Sequence, residues 1–471
     1  MSFMQLSPND TICAIATAQG GALGIIRVSG PNAISVTDSI FTPIGTTALS
    51  ERQPYTLTFG HIKDDQGEII DEVLVSLFRA PHSYTGEDST EISCHGSSYI
   101  LQKVMQLLIA HGCRAAGPGE YTQRAFLNGK MDLSQAEAVA DLIASTSEAT
   151  HRLAMNQMRG GFSRELGKLR DQLLHLTSLI ELELDFSDHE ELEFADRSEL
   201  QDTANKIENI ISRLVDSFST GNAIKNGIPV AIIGETNAGK STLLNALVGE
   251  ERAIVSDIHG TTRDVIEDTM NIGGITFRFI DTAGIRQTQD TIEALGIERS
   301  FKALAQAQIV ILMYDLQRPV SDFRLFYEKV RSHLLHKQVV LAMNKCDAAT
   351  DICAQLPDFI EQTTDINWHL ITISAKQKLH IDRLQSLLIN LSHVSDIHQG
   401  DIIVTNIRHY EALSHALEAI HRVENGLSIG LSGDFISQDL RECIFHLNDI
   451  VGEVTTDEVL GNIFKYFCIG K

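Results

Sequence analysis

Ile228-Pro-Val-Ala-Ile-Ile-Gly234-Glu-Thr-Asn237-Ala238-Gly239-Lys240-Ser241-Thr242-Leu-Leu-Asn-Ala-Leu247 is the stretch that decides the fold. Its first six residues form a short apolar run that reads as a buried strand. Gly234–Ser241 fits GxxxxGK[ST], and Thr242–Leu247 starts a helix. The glycines let backbone N–H groups wrap phosphates, while the helix N-terminus adds positive potential. Lys240 is expected to neutralise the outer phosphates and the Ser241 hydroxyl to ligate magnesium. Alone, the pattern serves an ATPase as well as a GTPase.

Three further elements decide between them. Asp281-Thr282-Ala283-Gly284 follows a strand pattern at Ile275–Ile280, where a magnesium-linked carboxylate and a γ-phosphate-sensing glycine belong. Asn344-Lys345-Cys346-Asp347 follows the apolar run Val339–Met343. A carboxylate there accepts hydrogen bonds from guanine N1–H and N2–H₂, which adenine does not offer. Ser374-Ala375-Lys376 follows Leu370–Ile373 and is expected to shape the base pocket through its backbone. All these elements fall in GTPase order, so a GTP-binding, GTP-hydrolysing domain is expected. Ras-type enzymes place a water-orienting Gln just after the DTAG glycine, but here that position is Ile285. Asn237 offers an amide oxygen suited to a monovalent cation such as potassium; stabilising the loop is the alternative reading.

Outward from this core, the organisation changes character. The first ~120 residues carry turn signals at Gly20-Gly21, Ser29-Gly30-Pro31 and Gly117-Pro118-Gly119 and read as β-rich. Leu166, Leu169, Leu173, Leu176 and Ile180 step by three and four, as do Ile207, Ile211, Leu214 and Phe218. The same stepping returns in Leu440, Ile444, Leu447 and Val451. The expected fold class is α/β plus all-α plus a β-rich N-terminal domain, with a Ras-like P-loop GTPase domain inserted into a discontinuous helical domain. The expected boundaries are an N-terminal α+β domain over 1–120, helical segments over 121–220 and 392–471, and the GTPase domain over 221–391. The acid-rich stretch Glu181–Glu199 reads as a solvated face.

Composition limits the alternatives. With 62 Asp+Glu against 38 Lys+Arg, the formal net charge is −24, which disfavours a protein that simply coats nucleic acid. Seven cysteines without a CxxC pair do not make a disulfide framework. Neither a signal peptide nor an apolar run near the ~20 residues of a membrane helix is read, so a cytoplasmic protein without a membrane partner is expected.

The motifs together resemble the tRNA modification GTPase family MnmE, also called TrmE, over nearly the whole chain. The carriers are Gly24-Ile-Ile-Arg27-Val-Ser-Gly30, Tyr84-Thr-Gly-Glu-Asp-Ser-Thr-Glu91-Ile-Ser-Cys-His-Gly96 and Pro118-Gly-Glu-Tyr-Thr-Gln-Arg-Ala-Phe-Leu-Asn-Gly-Lys130. The P-loop with Asn237, Gly260-Thr-Thr-Arg-Asp264 and the terminal Phe467-Cys468-Ile-Gly-Lys471 complete the set.

The resemblance implies that the loop Ser256-Asp257-Ile258-His259-Gly260-Thr261-Thr262 joins the GTP site. It places potassium on Asn237, Ser256, Ile258 and Thr261, and magnesium on Ser241 and Thr262. Glu293 matches the family's catalytic glutamate, which fills the gap left by Ile285. A tetrahydrofolate derivative, 5-formyl or 5,10-methylene, is implied at Arg27, Glu91, Lys130 and Lys471. Such chemistry is sensible, because a carboxylate pairs with the donor edge of a pterin while cations attract the glutamate tail. The family places Cys468 near that site, with a proposed catalytic role. A prenylation box is disfavoured there because Gly470 is not aliphatic.

Implied partners are a second copy of the chain, joined through the N-terminal domain, and the FAD-binding protein MnmG in a heterotetramer. The implied activity is addition of a carboxymethylaminomethyl or aminomethyl group to C5 of a wobble uridine, with the tRNA held largely by the partner. Potassium-dependent GTPase-domain dimerisation then drives hydrolysis. Two rivals are weaker on sequence. A ribosome-assembly GTPase usually carries a basic RNA module, and a dynamin-like remodeller wants a lipid-facing paddle; neither is visible.

Overall fold

A computed structural model describes residues 10–18, 20–185, 197–248, 268–280, 301–348, 363, 365–392, 402–453, 457–465, 467–468 and 470. In chain order the strands are β1 Ile12–Ile15, β2 Leu23–Ser29, β3 Phe41–Pro43, β4 Thr56–Lys63, β5 Ile69–Phe78, β6 Ser89–His95, β7 Arg114–Ala115, β8 Ile228–Gly234, β9 Asp268–Ile272, β10 Ile275–Phe279, β11 Ile309–Asp315, β12 Gln338–Asn344 and β13 Asn367–Thr372. The helices are α1 Ala33–Ile40, α2 Ser98–Ala110, α3 Glu120–Leu127, α4 Leu133–Ala144, α5 Glu148–Met158, α6 Gly161–Asp185, α7 Arg197–Asn226, α8 Lys240–Val248, α9 Val320–Val330, α10 Ile381–Leu391, α11 Ile407–Ser428, α12 Gly433–Val451 and α13 Asp457–Phe464. Two compact units result. One holds residues 1–143, 157–192 and 433–471; the other holds 144–156 and 193–432.

In the first unit the strands form one sheet in the order β3-β4-β5-β6-β2-β1-β7, antiparallel except where β7 runs parallel to β1. Alternation along β5 buries Asp71, Val73, Val75 and Leu77 and leaves Glu72 and Leu74 exposed, as a period of two requires. Ile26, Val28, Val75 and Ile92 pack against Leu101, Val104 and Leu108 of α2. The opposite face of the β2–β6 pair sets Arg27 directly across from Glu91.

Helix α6 buries Leu166, Leu169, Leu173, Leu176 and Ile180, the stripe its spacing predicts, and packs on α12. Within α12 the buried residues are Ile436, Ser437, Leu440, Cys443, Leu447 and Ile450. Ile444 and Val451 are only half-buried, so the seam is turned by one residue from the expected one. Cys443 packs as a small hydrophobe, and a stripe drawn through branched aliphatics alone passes it by. Glu181, at the start of the acid-rich stretch, accepts surface hydrogen bonds from Arg441 at 2.6 Å and Ser437 at 2.9 Å, and residues 186–196 of that stretch lie outside the described residues.

The second unit contains a sheet ordered β13-β12-β11-β8-β10-β9, parallel throughout except for β9 against β10. Strand β11 is buried along its whole length. Leu243, Leu247, Leu384 and Leu388 cover one face of the sheet, while Phe323, Tyr327 and Val330 cover the other. The chain passes from β8 through α8 to β9 and β10 on one side, then to β11 on the other. Sheet order therefore reverses at β8, and such sheets open a crevice at the C-terminal end of that strand.

The chain leaves this sheet as it entered. Helix α7, before β8, packs on α11, after β13, with Phe218 stacked on Tyr410 at 4.4 Å between ring centroids. A Cβ at Gly221 of α7 would lie 2.1 Å from the Val404 carbonyl oxygen, so this position has no room for a side chain. No described helix is long and apolar enough to cross a membrane.

Candidate functional site

The loop after β8 is shaped by two left-handed residues, Asn237 at φ 66° and Gly239 at φ 98°. A Cβ on Gly239 would meet Asn344 Nδ2 at 2.3 Å, so the glycine answers both conformation and space. Lys240 opens α8, and its Nζ turns back to donate to the carbonyls of Gly234 (2.7 Å) and Glu235 (2.8 Å). Burial pushes the Lys240 pKa down, opposed by the Glu235 charge. The ammonium is thus held in the concavity of the loop, at a helix N-terminus.

Asn344, at the end of β12, joins three segments. Its Nδ2 donates to the Ala238 carbonyl at 2.8 Å, and its Oδ1 accepts from the Ala375 N–H at 3.0 Å. Lys345 follows at φ 64°, its Nζ 2.6 Å from Asp315 Oδ2 at the end of β11. Ser374 is buried, and its Oγ accepts from the Gln377 N–H at 3.2 Å, closing the turn that carries Ala375 and Lys376.

Together these loops enclose a cleft of about 450 Å³, within the 300–1,000 Å³ typical of small-molecule sites. Asn237, Gly239, Lys240, Ser241 and Thr242 line one end. Asn344, Lys345, Asp347, Ser374, Ala375 and Lys376 line the other. Ala238 is held by Asn344 from behind. Gln317 and Ala348 also line it and were not expected. Gln317 lies two residues past a strand and belongs to no motif, so only its turn geometry reveals it. The donor set suits a nucleotide: a cationic loop at one end and an acceptor carboxylate, Asp347, at the other. Ser241 lines the cleft beside Lys240. Ser256, Asp257, Ile258, His259, Gly260, Thr261, Thr262, Asp281, Thr282, Ala283, Gly284 and Glu293 lie outside the described residues.

A second polar site occupies the other unit. Arg27 Nε donates to Glu91 Oε1 at 2.9 Å, with Nη2 at 2.8 Å from the same oxygen. Arg27 Nη1 reaches the Gly470 carbonyl at 3.4 Å. A Cβ at Gly470, φ 97°, would lie 2.6 Å from the Ile15 carbonyl oxygen, so glycine permits this close approach of the C-terminal segment to β1. The guanidinium lies 5.5 Å from the Tyr84 ring centre and 5.6 Å from that of Tyr121, whose hydroxyl donates to the Arg27 carbonyl at 2.7 Å. Burial raises the pKa of both tyrosines, that of Tyr121 strongly, so both phenols stay protonated.

Helix α3 supports this site from below. Glu120 accepts from Arg114 (2.7 Å), Arg124 (3.0 Å) and the Gly117 N–H (2.8 Å), and Arg124 reaches Glu87 at 3.0 Å. Burial pushes the Glu120 carboxyl up, but hydrogen bonds from Arg114 and Gly117 and the charges of Arg114 and Arg124 outweigh it and hold its pKa below the ordinary value. Thr122 meets the Tyr84 hydroxyl at 2.8 Å. Tyr84, Glu120, Tyr121 and Arg124 all lie within the quoted motifs, and their packing role needed the fold to be seen. Lys130 donates to the Pro81 carbonyl at 2.9 Å, on the loop that also carries Tyr84. The Cys468 side chain is exposed, and its carbonyl accepts from the Gly119 N–H at 3.3 Å. Lys471 lies outside the described residues.

Comparison with known proteins covers nearly the whole chain. The family model "MnmE helical domain" matches residues 133–468, and "GTP-binding protein TrmE N-terminus" matches residues 11–130. A protein named tRNA modification GTPase MnmE from Parabacteroides distasonis is 69% identical, covering 98% of this chain and 100% of the relative. Relatives of the same name from Bacteroides fragilis and Flavobacterium johnsoniae are 66% and 51% identical, each over 98% of this chain and 99% of their own length.

Proposed function

The chain belongs to the MnmE family of tRNA modification GTPases and is itself a GTPase, and from that premise we propose that it spends GTP on modifying the wobble uridine of certain tRNAs. The observation that carries the reading is the Asn344 amide, which ties the phosphate loop at Ala238 to the base loop at Ala375 around one cleft. In this reading Lys240 and the N-terminus of α8 hold the β- and γ-phosphates, and Ser241 with Thr262 holds magnesium. Asp347 accepts guanine N1–H and N2–H₂, and Ala375 and Lys376 shape the base pocket. Potassium on Asn237, Ser256, Ile258 and Thr261 supplies the charge that an arginine finger supplies elsewhere, and Glu293 orients the attacking water.

The paired Arg27 and Glu91 form the centre of a folate site, with Lys130 and Lys471 toward the glutamate tail. Glu91 Oε2 is the oxygen that a pterin donor edge would meet, because Oε1 already serves Arg27. The folate provides a one-carbon unit, MnmG with its flavin provides redox chemistry, and the product is a carboxymethylaminomethyl or aminomethyl group at uridine C5. GTP hydrolysis drives a conformational cycle of a cytoplasmic homodimer, and Cys468 is a candidate nucleophile.

The test combines one substitution with one product measurement. Asp347→Asn replaces a double acceptor with one acceptor and one donor, which suits xanthine rather than guanine. Two hydrogen bonds to a charged group are worth a factor of about a hundred or more. GTP affinity should fall that far while XTP is gained. In a strain lacking the gene, wobble uridines read by mass spectrometry should lose the modification, and the Asp347→Asn chain should not restore it. Full restoration by that variant, or intact modification in the deletion strain, would refute the proposal.

A further inference from the structure

Asp315, at the C-terminal end of β11, is buried at 5% exposure beside the cleft without lining it. Both of its carboxylate oxygens are engaged. Oδ2 lies 2.6 Å from Lys345 Nζ, and Oδ1 accepts the Gln317 N–H at 3.0 Å. Both donor residues line the cleft. The turn is closed further, since the Arg318 N–H donates to the Asp315 carbonyl at 2.9 Å and Tyr314 Oη donates to the Arg318 carbonyl at 2.6 Å. From its far end, Arg318 reaches Glu235 of the phosphate loop at 3.1 Å.

We propose that Asp315 is a positioning residue of the nucleotide site, pinning the Lys345 side chain and the Gln317 backbone so that both present a fixed wall to the base and sugar. Lys345 has four rotatable side-chain bonds on a left-handed backbone, and free in solution it would sample many rotamers. One buried carboxylate at its tip removes that freedom before the ligand arrives. Nucleotide binding then does not bear that ordering cost, and release is slower than it would be with an unpinned lysine. Asp315 touches no ligand itself and acts through its two partners.

The inference rests on the reading of the cleft as a guanine-nucleotide site, and its test separates the two. Asp315→Asn keeps an acceptor for the Gln317 N–H and removes only the charge that holds Lys345. Release of N-methylanthraniloyl-GDP from the full chain with magnesium should then be about tenfold faster. Lys345→Met, which keeps the stem and drops the charge, should give a similar increase. The double variant should release no faster than Lys345→Met alone, because the two changes break one interaction. Should Asp315→Asn fail to fold, the double variant, with no unpaired charge, still allows comparison with Lys345→Met. Release at the wild-type rate in Asp315→Asn, or a double variant whose change is the product of the single changes, overturns the positioning role. A wild-type chain that binds no probe overturns the nucleotide reading and this inference with it.

Discussion

Asn237 shows how one residue can have two physical reasons. Its backbone sits at φ 66°, a region Asn tolerates better than most side chains, and the residue lines the cleft. Alanine would remove the amide and add roughly 1–2 kcal/mol of left-handed strain, so Asn237→Ala confuses the two roles. Glycine adopts the conformation freely and removes only the amide. If the amide ligates potassium, Asn237→Gly should hydrolyse GTP at the same rate in potassium and sodium chloride while its nucleotide affinity stays near wild type. Retained potassium stimulation in steady-state phosphate release would leave Asn237 with its backbone role alone. A cation-ligating amide and a turn-forming one leave the same letter in the sequence; the dihedral reveals the turn role, and the potassium response tests the other.

Elements show where periodicity suffices and where it falls short. Strands β8, β10, β12 and β13 fall where their apolar runs predict, displaced by no more than a few residues at an end. Helix α12 is present as expected, but its seam runs through Cys443 and Ile450. Leu440→Ala should therefore cost about 3 kcal/mol, whereas Ile444→Ala should cost less than half of that. Urea unfolding midpoints read the difference, and equal losses would favour the stripe drawn from sequence.

Helix α3 makes a different point. Its motif carries part of the family resemblance, and Glu120 and Arg124 spend their charges on each other, on Arg114 and on Glu87. The native Glu120 carboxyl is held below its ordinary value. Its stabilisation is therefore complete above the unfolded value near pH ~4.3 and drains away as pH falls through the native one. Glu120→Gln should cost about 3 kcal/mol at neutral pH by stranding buried cations. It should also flatten the acid limb of a plot of Tm against pH. An unchanged acid limb would show that other carboxylates govern it.

At the scale of the whole molecule, two pairs of long helices, α6 with α12 and α7 with α11, join chain from before the second sheet to chain from after it. Size-exclusion chromatography of the full chain with a GTP-state analogue should show a change of hydrodynamic radius in potassium chloride and none in sodium chloride. Identical elution would argue against cation-dependent association. The net charge of −24 disfavours a chain that coats a phosphate backbone by itself.

The sequence by itself determined the classes of element, the P-loop and its companion base motif, and the family. These rest on spacings of a few residues, where backbone geometry alone brings side chains together. Tertiary structure decided the rest. Asn344 meets Ala238 across 106 positions, Arg27 meets Glu91 across 64 and Gly470 across 443. Asp315 meets Lys345 because β11 and β12 pair in a register that sets Asp315 against Asn344. Such meetings follow from strand order and packing, which act through space, and no local pattern carries them.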